Sequence, residues 1–162
     1  MDYRDQPATV NHVARVAQRL KRDGLLKRRA WVFPLARQKH WTAAVVNFPS
    51  KQVFFVDSLQ SLRPQFVARV WTVLEVVSQT LRREPFNFSG WRHGSLGRKS
   101  PRQPDYFNCG IFPILLARCL HHGVQITRGW SQEDLDEQRN LITLELLEGQ
   151  VASALVQNMS TA

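Results

Sequence analysis

The chain has 162 residues, 43% of them hydrophobic. That is enough apolar matter for a single cored domain, and it excludes a disordered tail. Lysine and arginine number 22 against 13 acids, a formal charge of +9, so the surface field favours anionic partners. The basic residues are dispersed except at Lys21-Arg22, Lys27-Arg28-Arg29 and Arg98-Lys99 with Arg102. No nucleic-acid docking motif accompanies them, and no apolar run reaches membrane-spanning length. Neither nucleic acid nor membrane is therefore expected as a partner. Cys109 and Cys119 lie on what reads as one helix, where a disulfide between them would be strained. A reducing intracellular setting, nucleus or cytoplasm, is expected. The segment from Met1 to Pro7 is polar and carries no signal-peptide core.

In chain order, Val10, Val13, Val16, Leu20 and Leu25 give Thr9 to Lys27 one apolar stripe, predicting an amphipathic helix that frays at Gly24. Ala30 to Leu35 reads as a short strand. Trp41 to Phe48 and Gln52 to Asp57 form a predicted hairpin around Pro49 and Ser50. With Asn47 opposite Lys51 across a three-residue loop, Trp41 falls opposite Asp57, and His40 lies at the same open end of the hairpin. Phe66, Val70, Val73, Leu74, Val77 and Leu81 predict a helix from Arg63 to Arg83 with Ser61 as its N-cap. Phe86 to Trp91 reads as a strand, and Arg92 to Asn108 as a polar loop rich in glycine and proline. An apolar helix is expected from Cys109 to His121, with Pro113 tolerated in its first turn. Val124 to Thr127 reads as a strand, and Ser131 as the cap of a last long helix with acids in its first turn.

Four residues carry candidate chemistry. Cys109 ends the polar loop and opens the apolar helix, where the helix dipole favours a thiolate. Cys119, deep in that helix, reads as core. His40 and Asp57 meet across the hairpin end. A carboxylate on one ring nitrogen fixes the tautomer and leaves the other nitrogen free as a base. Gln103, six residues before Cys109, offers uncharged amide N–H groups that could help to hold an oxyanion. Trp41 reads either as core or as one wall of a narrow slot.

The ordered set Trp31-Val-Phe-Pro34, His40-Trp41, Phe55-Val-Asp57-Ser-Leu59, Gln103 and Asn108-Cys109-Gly110-Ile-Phe112 resembles the ubiquitin-like-protein-specific proteases. These are the SUMO proteases of the clan that also holds the adenovirus protease. Trp130-Ser-Gln-Glu-Asp134, Arg139 and Leu146-Leu147-Glu-Gly149 resemble the end of that domain. The resemblance implies an α+β fold with a papain-like, adenovirus-protease-like core, a mixed sheet with a hairpin flanked by helices. It divides the chain into an N-terminal helical segment, residues 1–29, and a catalytic domain, residues 30–158, within one compact body. It implies His40 as base, Asp57 as its orienter, Cys109 as nucleophile, Gln103 as oxyanion donor and Trp41 as the ring over a glycine pair. It implies no cofactor and no metal, and as partner a ubiquitin-like protein, SUMO-like or ubiquitin, with its conjugates. The sequence departs from the family's pattern in three ways. Asn108 stands where the family usually has Asp, Pro104 lies in the approach to the cysteine, and the family's N-terminal tryptophan wall has no counterpart. An acetyltransferase effector of the same clan, or a catalytically weak protein that binds ubiquitin-like modifiers, is the alternative.

Overall fold

The computed structural model describes residues 7–59, 65–95, 101–123 and 130–149. The predicted Ser61 cap and the Val124 to Thr127 strand lie outside them. The first helix, α1 (Pro7–Lys21), stops before the predicted end because Gly24 takes a left-handed φ of 72°. That conformation costs glycine little and turns the chain into a short 3-10 turn, Leu25–Lys27. Strand β1 (Ala30–Arg37) and strand β2 (His40–Asn47) follow. They are joined by a two-residue turn, Gln38 and Lys39, both at positive φ. This is the twist that a tight hairpin demands, here met without glycine or asparagine, and each residue holds backbone strain.

Strand β3 (Gln52–Val56) returns after a turn of four residues, one more than the predicted loop. Within that turn the Lys51 N–H donates to the Phe48 carbonyl, and Asn47 Oδ1 accepts from the Ser50 N–H. Helix α2 (Gln65–Arg82) covers most of the predicted span. The predicted strand from Phe86 to Trp91 is not one. Ser89 N–H donates to Asn87 Oδ1, Gly90 sits at φ 77°, and Trp91 N–H donates to Phe88 O, so the segment coils. Its rings gather into one cluster, with Phe86 against Phe88 and Trp91, and Trp71 edge-on to Phe88 and Trp91. Aromatic richness there serves packing and not pleating. The strand comes next, as β4 (Arg92–Ser95), inside what reads as loop, and Arg92 N–H donates to Lys51 O.

The four strands make one mixed sheet in the order β1-β2-β3-β4, flanked by helices, an α+β arrangement. In β2, Thr42 to Val46 are all buried, so this strand is covered on both faces. A 3-10 turn, Asn108–Gly110, precedes helix α3 (Ile111–His122), where Pro113 sits harmlessly in the first turn. Helix α4 (Gln132–Glu148) opens with a full capping box. Ser131 accepts from the Asp134 N–H, and Asp134 accepts from the Ser131 N–H. Among the described residues no helix is long and apolar enough to cross a membrane.

The chain resolves into two compact units. One contains α1, α2, the β2–β3 turn from Val46 to Val53 and the aromatic segment up to His93. Its buried residues include Ala17, Trp31, Val53, Phe66, Val70, Leu74 and Val77. The other runs over Val32–Val45, the chain from Phe54 past the end of β3, α3 and α4. There Ala43, Val45 and Val56 pack with Leu116 of α3. Ile111, Phe112, Leu115, Trp130 and Leu135 form a second cluster that ties α4 to α3. Because Leu135 is fully buried in that cluster, Leu135→Ala should cost about 2–5 kcal/mol in a denaturant titration. A loss of a few tenths would show that α4 contributes little to the core.

Candidate active site

His40, Trp41, Asp57, Gln103 and Cys109 all belong to the second unit. The tight Gln38-Lys39 turn starts β2 at His40, and Asp57 follows the last residue of β3. Neighbouring hairpin strands bring these ends together, and His40 Nε2 lies 2.7 Å from Asp57 Oδ1. The same oxygen accepts the Leu59 N–H at 2.9 Å. Asp57 is 7% exposed, and a buried carboxylate must be hydrogen-bonded to be tolerated. A carboxylate only accepts, so Nε2 carries a proton, and in the neutral ring Nδ1 keeps a lone pair.

Cys109 does not begin the α-helix, as expected from the sequence. It sits in the 3-10 turn ahead of α3, buried, with Sγ 4.0 Å from the carbonyl oxygen of Lys39, the residue before His40. Its thiol is free, and so is that of Cys119. Cys119 lies deep in α3, where burial pushes the thiol up, partly offset by the Arg118 charge and a backbone hydrogen bond. Trp41 is 43% exposed, and its indole lies beside the cysteine turn. A Cβ added at Gly110 would be 3.6 Å from the ring.

Gln103 is held at both ends of its amide. Nε2 donates to Asp105 O at 2.6 Å, and Oε1 accepts from Ser58 Oγ at 2.5 Å. Its backbone N–H donates to Ser58 O. The structure thus brings His40 to Asp57, Cys109 to the residue before His40, and Gln103 to the residue after Asp57.

Two residues to which sequence reasoning gave no role organise the approach to Cys109, and a third joins them. Asp105 Oδ1 accepts the N–H groups of Phe107 at 2.9 Å and Asn108 at 2.8 Å, while Oδ2 accepts from Asn108 Nδ2. Arg139, from α4, donates to Asn108 Oδ1. Asn108 is fully buried, so both polar ends of its amide are met inside the protein. The third residue is Ser58, buried under Gln103. The sequence signal is local: an Asp whose side chain can accept the N–H two residues on, as Asp105 does from Phe107 in an Asx-type turn. Two concavities among the described residues lie elsewhere, one around Trp31, Phe48 and Trp91, another between α3 and α4. None of His40, Asp57, Gln103 and Cys109 lines either.

The Asp105 carboxyl is held below its ordinary value. Burial pushes it up, but the N–H groups of Asn108 and Phe107, the Asn108 amide and the Arg139 charge outweigh that. A folded value below the unfolded one gives stability that is fully present above the unfolded value and is lost as the pH falls through the folded one. The stability margin of wild type over Asp105→Asn should therefore be constant above the ordinary carboxylate range and shrink as the pH falls below it. Denaturant titrations at several pH values check this, and an unchanged margin in acid would contradict it.

The family model for the Ulp1 protease family, C-terminal catalytic domain, matches residues 3–148. A sentrin-specific protease of Caenorhabditis elegans is 30% identical over 122 residues, covering 75% of this chain and 17% of that protein. The chain thus spans under a fifth of that relative's length. The Ulp1-like SUMO protease catalytic domain of Chaetomium thermophilum superposes with a TM-score of 0.66 at 23% identity, over 95% of this chain and 62% of that one. The C-terminal Ulp1 protease domain in complex with Smt3, the yeast ortholog of SUMO, gives 0.64 at 18% identity, over 83% and 61%. With its fold shared and nearly its whole length matched, the chain belongs to the Ulp1 protease family.

Proposed function

We propose that the chain is a thiol peptidase that cleaves after the terminal glycine of a SUMO-like modifier, with Cys109 as nucleophile. The observation that carries this reading is the 2.7 Å contact of His40 Nε2 with the buried Asp57, beside a cysteine whose sulfur sits against the residue preceding His40. Family membership supports the reaction class. The neighbour solved with Smt3 and the sentrin-specific name of the worm relative support the modifier class.

In this mechanism Asp57 holds Nε2–H, so Nδ1 takes the proton of Cys109. The thiolate adds to the glycine carbonyl, and the oxyanion is held by Gln103 and backbone N–H groups, each donor worth about 2.7–4 kcal/mol. The C–N bond breaks as His40 passes its proton to the leaving amine. Water then gives its proton to Nδ1 and attacks the thioester, the C–S bond breaks, and Cys109 recovers the proton. Trp41, half-open beside the cysteine turn, is the ring over the last two glycines. A narrow slot under that ring would admit Gly-Gly and reject side chains.

The test is incubation with a panel of ubiquitin-like proteins carrying C-terminal electrophiles, read by intact mass. Wild type should gain the mass of one SUMO-type probe, and Cys109→Ala should gain none. Equal labelling of the variant would remove Cys109 as nucleophile. Labelling by ubiquitin alone would overturn the modifier class.

A further inference from the structure

We infer that Ser58 is a positioning residue that fixes which way round the Gln103 amide sits, so that the dipeptide Asp57-Ser58 orients both the base and the oxyanion donor. The inference rests on the proposed thiol-peptidase reading. An amide side chain can flip, exchanging its N–H₂ and oxygen ends at little cost unless both ends are recognised. The Asp105 carbonyl can only accept, so the end of Gln103 that lies 2.6 Å from it is Nε2. The opposite end, Oε1, then needs a donor, and Ser58 Oγ supplies one at 2.5 Å. Ser58 is 3% exposed, so no solvent competes for that hydroxyl. The Gln103 N–H also donates to the Ser58 carbonyl, so residue 103 is gripped by one residue through both backbone and side chain. Nε2 carries a second N–H beyond the one given to Asp105, and that is the one available for an oxyanion.

The link matters because Ser58 directly follows Asp57. The carboxylate of one faces His40 Nε2 and the hydroxyl of the next faces Gln103 Oε1. Ser58 lies in the turn that follows Asp57, which the Leu59 N–H closes onto Asp57 Oδ1. One short stretch leaving β3 can therefore serve the two halves of a site built from distant segments.

The test uses two reactions of the same cysteine. Hydrolysis of a SUMO fused to a C-terminal amide passes through a tetrahedral oxyanion. Addition of Cys109 to a C-terminal propargyl amide probe does not, so it needs the cysteine and histidine but no oxyanion donor. Ser58→Ala should lower kcat for hydrolysis roughly tenfold, less than the 10²–10³ lost when a donor itself is removed. KM and the rate of probe addition should stay at wild-type values. Ser58→Thr, which keeps the hydroxyl, should restore most of kcat, with melting curves confirming that both variants fold. Equal losses in both reactions would mean a general structural role and overturn the inference, as would no loss in either. A wild-type protein that takes no probe would instead sink the underlying reading, and the inference with it.

Discussion

The carboxylate of Asp57 is nearly closed off from water, and burying a charge is tolerable only where donors meet it. Two donors, His40 Nε2 and the Leu59 N–H, converge on Oδ1. The first is available only if the start of β2 lies beside the end of β3. That is a statement about strand register, and register is set by what the strands bury. Ala43 and Val45 face Leu116 together with Val56, and a slip of one residue would turn that apolar set to the other face. The pairing of imidazole and carboxylate is thus secured by aliphatic packing several residues away. The tight Gln38-Lys39 turn closes the other side of His40. Its strained left-handed residues are held by the strands on either side, in keeping with backbone strain gathering near sites of chemistry.

The cysteine side is secured differently, by polar groups. Asn108 is buried and neutral, with Arg139 on its oxygen and Asp105 on its nitrogen. An amide suits this position because it accepts at one end and donates at the other, relaying between a cation and an anion. An aspartate at 108, the residue usual in the family, would answer Arg139 but would set two carboxylates against each other at 2.5 Å. The departure at 108 and the acid at 105 are therefore one feature. Asp105, by accepting two consecutive N–H groups, bends the chain so that the 3-10 turn delivers Cys109.

Much of this was legible in the residues. Period-3.6 spacing located α1 and α2, an apolar run after the polar loop marked α3, the Ser131–Asp134 pair announced the start of α4, and hairpin register placed His40 with Asp57. What escaped shares a cause: the competing interaction is non-local or depends on an unusual turn. Phe86, Phe88 and Trp91 look like a strand because aromatic residues favour sheets. They coil into one cluster in which Trp71, from α2, packs on Phe88 and Trp91, and Phe86 packs on the same two rings. Gln38 and Lys39 carry no sequence mark of a turn that normally recruits asparagine and glycine. Ser58 is invisible in sequence as a partner of Gln103, since 45 residues separate them and nothing local records the meeting.

The residues of the candidate site lie at strand ends and in a turn, and the two concavities around Trp31 and between α3 and α4 are lined by other residues. An enzyme for a small molecule would be expected to surround it. Here large rings stand in the open, Tyr106 and Phe107 close to Cys109 in the chain and Trp41 beside Gly110. Tyr106 is 94% exposed, Phe107 68% and Trp41 43%. Apolar surface of that size near Cys109 is costly to leave wet and easy to cover with a chain. In the proposed reading the substrate supplies that cover. A modifier's narrow glycine tail lies along Trp41, and the bulk of the protein behind it excludes water from the thiol. Enclosure would then form on binding, which suits a macromolecular substrate and leaves small thiol-reactive amides poorly held.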